Sequence, residues 1–212
     1  MSDSPFAVIE SRWWDSGNHS VRPIFEAVSA IHFGNPSAFF YDMFSEKTSL
    51  AATLQARATD TRTEVVYLAS HGDENHVGPN AANAVSRTGL RNCFFKSNRE
   101  GQIKGLFLGT CLTGNIEVAR FFLESRRTNL DWLAGYRKGV DWVDGTAIDM
   151  IFFSKLAEQY RKNRGRGKRK YSARSMAHKA ASELLAIVPG AFSTYGFNIY
   201  FHENGKLTSM FT

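Results

Sequence analysis

His71 and Cys111 are the two residues of this sequence placed to do covalent chemistry. Each stands where a strand-length apolar run stops. EVVYLAS, residues 64–70, ends on His71-Gly72, and IKGLFLGT, residues 103–110, ends on Cys111. Continuous runs of this kind, rich in Val, Leu, Phe and Tyr, mark strands buried on both faces of a parallel sheet. In such a sheet the strand C-termini share one edge, and the loops leaving that edge build the site. If these two strands are neighbours, an imidazole and a thiol emerge side by side. A thiol attacks as thiolate, and an imidazole can take its proton and return it to a leaving amine. Gly72 lets a backbone amide approach a ligand; with the amide of Cys111 it could hold the oxyanion of an acyl-transfer intermediate. The helix expected to start near Gly114 would add a favourable partial charge. Thr110 and Asn115 are alternative residues for orienting the pair.

The neighbouring residues admit more than one reading. A reduced cysteine is by itself most often core, and Cys93 in LRNCFF is read that way. His71, Asp73, Glu74 and His76 in HGDENH form a rival set of metal ligands, but the spacing is not that of a HExxH helix and Gly72 favours a turn. No metal site is assigned. Asp141 and Asp144, in GYRKGVDWVDGTAID, follow the next strand on the same edge, with Asp144 placed to cap the following helix. They are either helix-capping surface charges or the wall of a substrate pocket that would select Lys or Arg, with Trp142 shaping that wall. Arg137 and Lys138 lie close by and would favour the opposite charge. Trp13 and Trp14 follow the first strand, where they either line a groove or pack the strand end.

The elements that must position these residues are legible as alternating periods. Strands are expected at residues 6–10, 64–70, 103–110, 130–136 and 197–201, with a short sixth at 39–44. Helices are expected in SVRPIFEAVSAIHF, SEKTSLAATLQARA, NIEVARFFLESRR, DGTAIDMIFFSKLAEQY and SARSMAHKAASELLAIV. Ile24, Val28 and Ile31 share a face of the first of these. Alternation of this sort predicts an α/β three-layer sandwich, a mainly parallel six-stranded sheet flanked by helices. GPNAANAVSRTG and RKNRGRGKRK read as exposed loops.

The chain has 212 residues, 43% of them hydrophobic, which suits one domain spanning residues 1–212. No apolar run is long enough for a bilayer and no secretory signal is visible, so a cytoplasmic protein without membrane contact is expected. Two cysteines exclude a disulfide framework. The net charge of +6 is local. RKNRGRGKRKYSAR, from Arg161 to Arg174, holds eight basic residues and no acid, and without it the chain is slightly acidic. Such a segment, residues 161–174, reads as a basic insertion between the C-terminal helices. It would be a solvated loop, a protein-docking element, or a contact for nucleic acid or another acidic partner.

The two motif strands, with WLAGYRKGVDWVDGTAIDMIFF after them, resemble the caspase-like (clan CD) cysteine peptidases: caspases, metacaspases, separase and the bacterial CHAT-domain proteases. The resemblance covers roughly residues 64–153. It implies a caspase-like sheet, His71 as base, Cys111 as nucleophile and the Gly72 and Cys111 amides as oxyanion hole. It also implies hydrolysis of a protein or peptide substrate without a cofactor. The chain departs from the family in lacking the caspase pentapeptide, in carrying Thr110 where metacaspases have Asp, and in lacking a long cleavable linker after the cysteine strand. In size it is similar to small bacterial members, some of which serve anti-phage defence, activated by a partner protein and cleaving an effector. A catalytically silent binding module of the same fold is the alternative, as is binding through the basic segment.

Overall fold

In a computed structural model, which describes residues 3–203 and 205–211, the apolar runs pair into one sheet. The chain order is β1 (Phe6–Ser11), α1 (Arg22–Phe33), β2 (Phe40–Phe44), α2 (Lys47–Thr59), β3 (Val65–Ala69), β4 (His71–Gly72), β5 (His76–Gly78), β6 (Val85–Ser86) and α3 (Arg87–Ser97). It continues with β7 (Gly105–Gly109), α4 (Ile116–Leu123), β8 (Trp132–Tyr136), α5 (Trp142–Arg164), α6 (Ala173–Ile187), β9 (Phe197–Glu203) and β10 (Lys206–Ser209). The main sheet has seven strands in the order β10-β9-β8-β7-β3-β1-β2.

The expected six mainly parallel strands need correcting. β2, β1, β3, β7 and β8 are mutually parallel, but β9 runs antiparallel to β8 and forms a hairpin with β10. Two helices in series separate β8 from β9, so the chain returns from the opposite direction. Gly205, at φ +79°, directly precedes β10.

Alternation along the strands sorts side chains into two cores. Phe6 and Val8 of β1, Tyr67 of β3, Phe107 of β7 and Trp132 of β8 pack beneath α1, α5 and α6. Ala7, Ile9, Val66, Leu68, Leu106 and Leu108 pack beneath α2, α3 and α4. Both sheet faces are therefore covered, as continuous apolar strands demand. Helix faces are shifted from the expectation in places. Val28 is buried as expected, but Ile31, grouped with it, is 70% exposed, and Phe25 and Phe33 complete the contact.

Two expected loops are partly ordered elements. GPNAANAVSRTG contributes to β5, β6 and the start of α3, and β4-β5-β6 make a small antiparallel sheet beside the site. Helix α3 is not among the expected helices, because Gly89, a weak helix former, stands in its first turn; Ser86 caps it by accepting from the Gly89 amide at 3.1 Å, and Cys93 is core. RKNRGRGKRK is helical through Arg164, since Arg and Lys are good helix formers. Only residues 165–172 are loop, closed by the buried Asn163, which bonds both the amide and carbonyl of Tyr171. The 23 residues of α5 rise about 35 Å from Trp142, on the pocket, to this basic loop. No helix among the described residues is long and apolar enough to cross a membrane.

Candidate active site

β3 and β7 are neighbours, paired in parallel with Ala69 opposite Gly109. His71 and Cys111 each lie two residues beyond that pair, so equal register delivers both to one edge. They line one pocket of about 230 Å³ together with Gly72, Thr110, Asp141 and Trp142. Gly72 is needed there: a Cβ on it would stand 2.8 Å from Thr110 Cβ and 3.2 Å from the Cys111 carbonyl oxygen. Gly72 and Cys111, whose amides the sequence offers as oxyanion donors, are both lining residues of the pocket. Gly72→Ala would push the cysteine turn aside.

The cysteine turn is strained. Leu112, directly after Cys111, has φ +62°, a left-handed conformation uncommon for a branched side chain. Gly114 N–H donating to the Tyr136 carbonyl at 2.8 Å and the Thr110–Thr113 hydroxyl pair at 2.5 Å hold it in place. Strain of about 1–3 kcal/mol persists only where the surroundings over-determine it, and such positions cluster at functional sites. Cys111 is half-buried, its thiol 3.9 Å from the Val140 carbonyl oxygen. Helix α4 starts later than expected, at Ile116, and Asn115 caps it by accepting from the Val118 amide. Residues 112–115 therefore stand between the thiol and the first helical turn. Thr110 lines the pocket; Asn115 does not.

The candidate pocket wall divides. Asp141 both lines the pocket and caps α5, its carboxylate accepting from the Val143 amide at 2.9 Å. Asp144, expected as the cap, lies inside the first turn of α5 and outside the lining, because the helix starts two residues before it. Trp142 lines the pocket, and its indole donates to the His19 carbonyl at 2.9 Å. Arg137 and Lys138 point elsewhere: Arg137 stacks on Phe192 at 4.1 Å, and the Lys138 ammonium donates to the carbonyls of Ser193 and Thr194. In HGDENH, Asp73 is engaged in its own turn, accepting from the amides of Asn75 and His76. The described residues hold no group of three or more His, Cys, Asp or Glu suited to a metal ion.

The pocket floor was not foreseen. Asp149 of α5 is 3% exposed and accepts hydrogen bonds from Tyr136 at 2.6 Å and from Tyr67 at 2.5 Å. All three side chains line the pocket. Gly109 makes room for the Tyr67 ring, since a Cβ there would fall 2.3 Å from its hydroxyl. Burial pushes the Asp149 carboxyl up to about 7, against the opposing pull of the two tyrosine hydroxyls. The signal in the sequence is Asp149 standing three and four residues before Phe152 and Phe153, on the apolar face of a helix. A lone carboxylate in such a stripe is buried, and a buried carboxylate is a site candidate.

Comparison with known proteins adds nothing to this geometry: no protein-family model matches the chain, and no curated protein is detectably related to it in sequence.

Proposed function

We propose that the chain is a caspase-like cysteine endopeptidase that cleaves protein substrates after Arg or Lys. The observation that carries the reading is the equal register of His71 and Cys111 on adjacent parallel strands, above a pocket lined by two carboxylates and by no Lys or Arg. His71 takes the thiol proton. The Cys111 thiolate adds to the scissile carbonyl, and the amides of Gly72 and Cys111 meet the oxyanion. Collapse of the intermediate returns the proton to the amine leaving group, and water hydrolyses the thioester. The side chain before the scissile bond enters the pocket. There its guanidinium or ammonium meets Asp149, whose oxygens each keep a lone pair beyond the one given to tyrosine. Asp141 adds a second negative charge at the rim.

The resemblance to small bacterial caspase-like and CHAT-like proteases supports a further part of the reading, activation by a partner protein and cleavage of an effector in antiviral defence. The test is covalent labelling with peptide acyloxymethyl ketones carrying Arg, Lys, Asp, Leu or Ala beside the warhead, read by intact mass and peptide mapping. Labelling of Cys111, fastest with Arg or Lys and lost in His71→Ala, is the expected result. Alkylation of Cys111 by iodoacetamide with no labelling by any peptide would overturn the reading for the isolated chain.

A further inference from the structure

Among the described residues no carboxylate accepts from the His71 ring, and the nearest acid in sequence, Asp73, is committed to its own turn. What meets the imidazole is Trp13, whose ring centroid lies 5.8 Å away at an interplanar angle of 74°. Trp13 comes from the segment after β1, and that segment is clamped. Glu10, fully buried at the end of β1, accepts from the Val21 amide at 2.9 Å and from the hydroxyls of Ser20 and Tyr41, each at 2.6 Å. The Trp142 indole pins the His19 carbonyl from the opposite rim. Within the clamp Trp13 is boxed by Trp14 and His19, with centroids at 5.6 and 6.0 Å. Its own indole N–H is buried without an acceptor among the described residues. A buried unpaired donor is costly, so this indole is held in place by its ring and not by its polar handle.

We propose that Trp13 is the positioning residue for His71: the indole, crossing the imidazole at a steep angle, fixes the plane of that ring and lies within cation–π reach of the imidazolium. That is the task a carboxylate performs in a three-residue arrangement. A cation within about 6 Å of an indole centroid is attracted by the ring quadrupole. The inference rests on the peptidase reading of His71 and Cys111. The other ionisable groups around this corner are His19 beside Trp13, Asp141, Asp149, Tyr67 and Tyr136 across the pocket, Asp73 and His76 on the following turn, and the thiol itself.

The experiment compares alkylation of Cys111 by iodoacetamide at about pH 6 and about pH 9, since free thiols ionise near the upper value unaided. The ratio of the two rates isolates what the imidazolium contributes. Trp13→Leu should lower that ratio by about three-fold, and Trp13→Phe should hold it within about two-fold. His71→Ala sets the floor. A leucine variant that keeps the wild-type ratio, or a phenylalanine variant that falls as far as leucine, overturns the role of Trp13 while leaving the dyad intact. A wild-type ratio already equal to that of His71→Ala overturns the dyad and, with it, both readings. Trp13→Met is the second non-aromatic replacement if the leucine variant does not fold, with the unfolding midpoint recorded for each.

Discussion

Cys111→Ala should abolish hydrolysis of Arg-containing peptides, a loss of about four orders of magnitude or more in kcat, and His71→Ala should come close to it. The two effects should not add. A thiol without its base and a base without its thiol are the same broken unit, so the double variant should be no slower than the worse single one. Fold stability should be nearly unaffected by either change. His71 is exposed and Cys111 half-buried at the end of its strand, away from the packed residues Leu106–Leu108 and Val65–Ala69 that hold the sheet together. Steady-state hydrolysis and chemical unfolding of the three variants check this directly. Retention of more than a few per cent of activity by Cys111→Ala would exclude the nucleophile.

Asp149→Asn should have the second largest effect, and on specificity more than on rate. Removing one partner of a desolvated charge pair costs about 2–5 kcal/mol, so kcat/KM for an Arg peptide should fall by about 10²-fold or more while that for a Leu peptide changes little. The same variant has a signature in stability. The Asp149 carboxyl sits at about 7 in the fold against 3.8 as its ordinary value. The folded state therefore holds its proton more tightly, and stability from this group is full below about pH 4 and declines as pH rises to about 7. The difference in unfolding midpoint between wild type and Asp149→Asn should therefore move against wild type as pH rises through that window. A carboxylate kept where it weakens the fold at neutral pH is what a binding floor requires. A cationic side chain in the pocket would hold Asp149 ionised, so preference for Arg over Leu should sharpen as pH rises through about 7.

Much of the site was legible because its signals are short-range. The apolar runs around Val66 and Phe107 exceed what a half-exposed strand carries, and their abrupt ends on His71 and Cys111 are visible in sequence. Helix α6 was found for the same reason, with Ser172 capping it by accepting from the Ser175 amide at 3.1 Å. Less legible were features whose meaning depends on a distant partner. Asp144 reads as a cap before Gly145, but Asp141 takes the cap because Trp142 and Val143 join the helix, with Trp142 anchored to His19 across the pocket. The antiparallel sense of β9 follows from the path of α5 and α6 over the sheet, which no local pattern of FNIYF records. Asp149 stands among the apolar neighbours of one helix, but only Tyr67 and Tyr136, on two different strands, place it at the pocket floor.

By itself the sequence determined the alternation of strands and helices and the two chemistry-bearing strand ends. Both follow from side-chain hydration and backbone preference over a few residues. The tertiary structure decided the rest: that β3 lies against β7 across the intervening β4-β5-β6 sheet and α3, and that a clamped N-terminal segment brings Trp13 to His71. It also decided that a residue of α5 closes the pocket from below. Pairing between strands far apart in sequence is selected by total burial and by satisfaction of every buried polar group, and those are properties of the assembled core rather than of any segment.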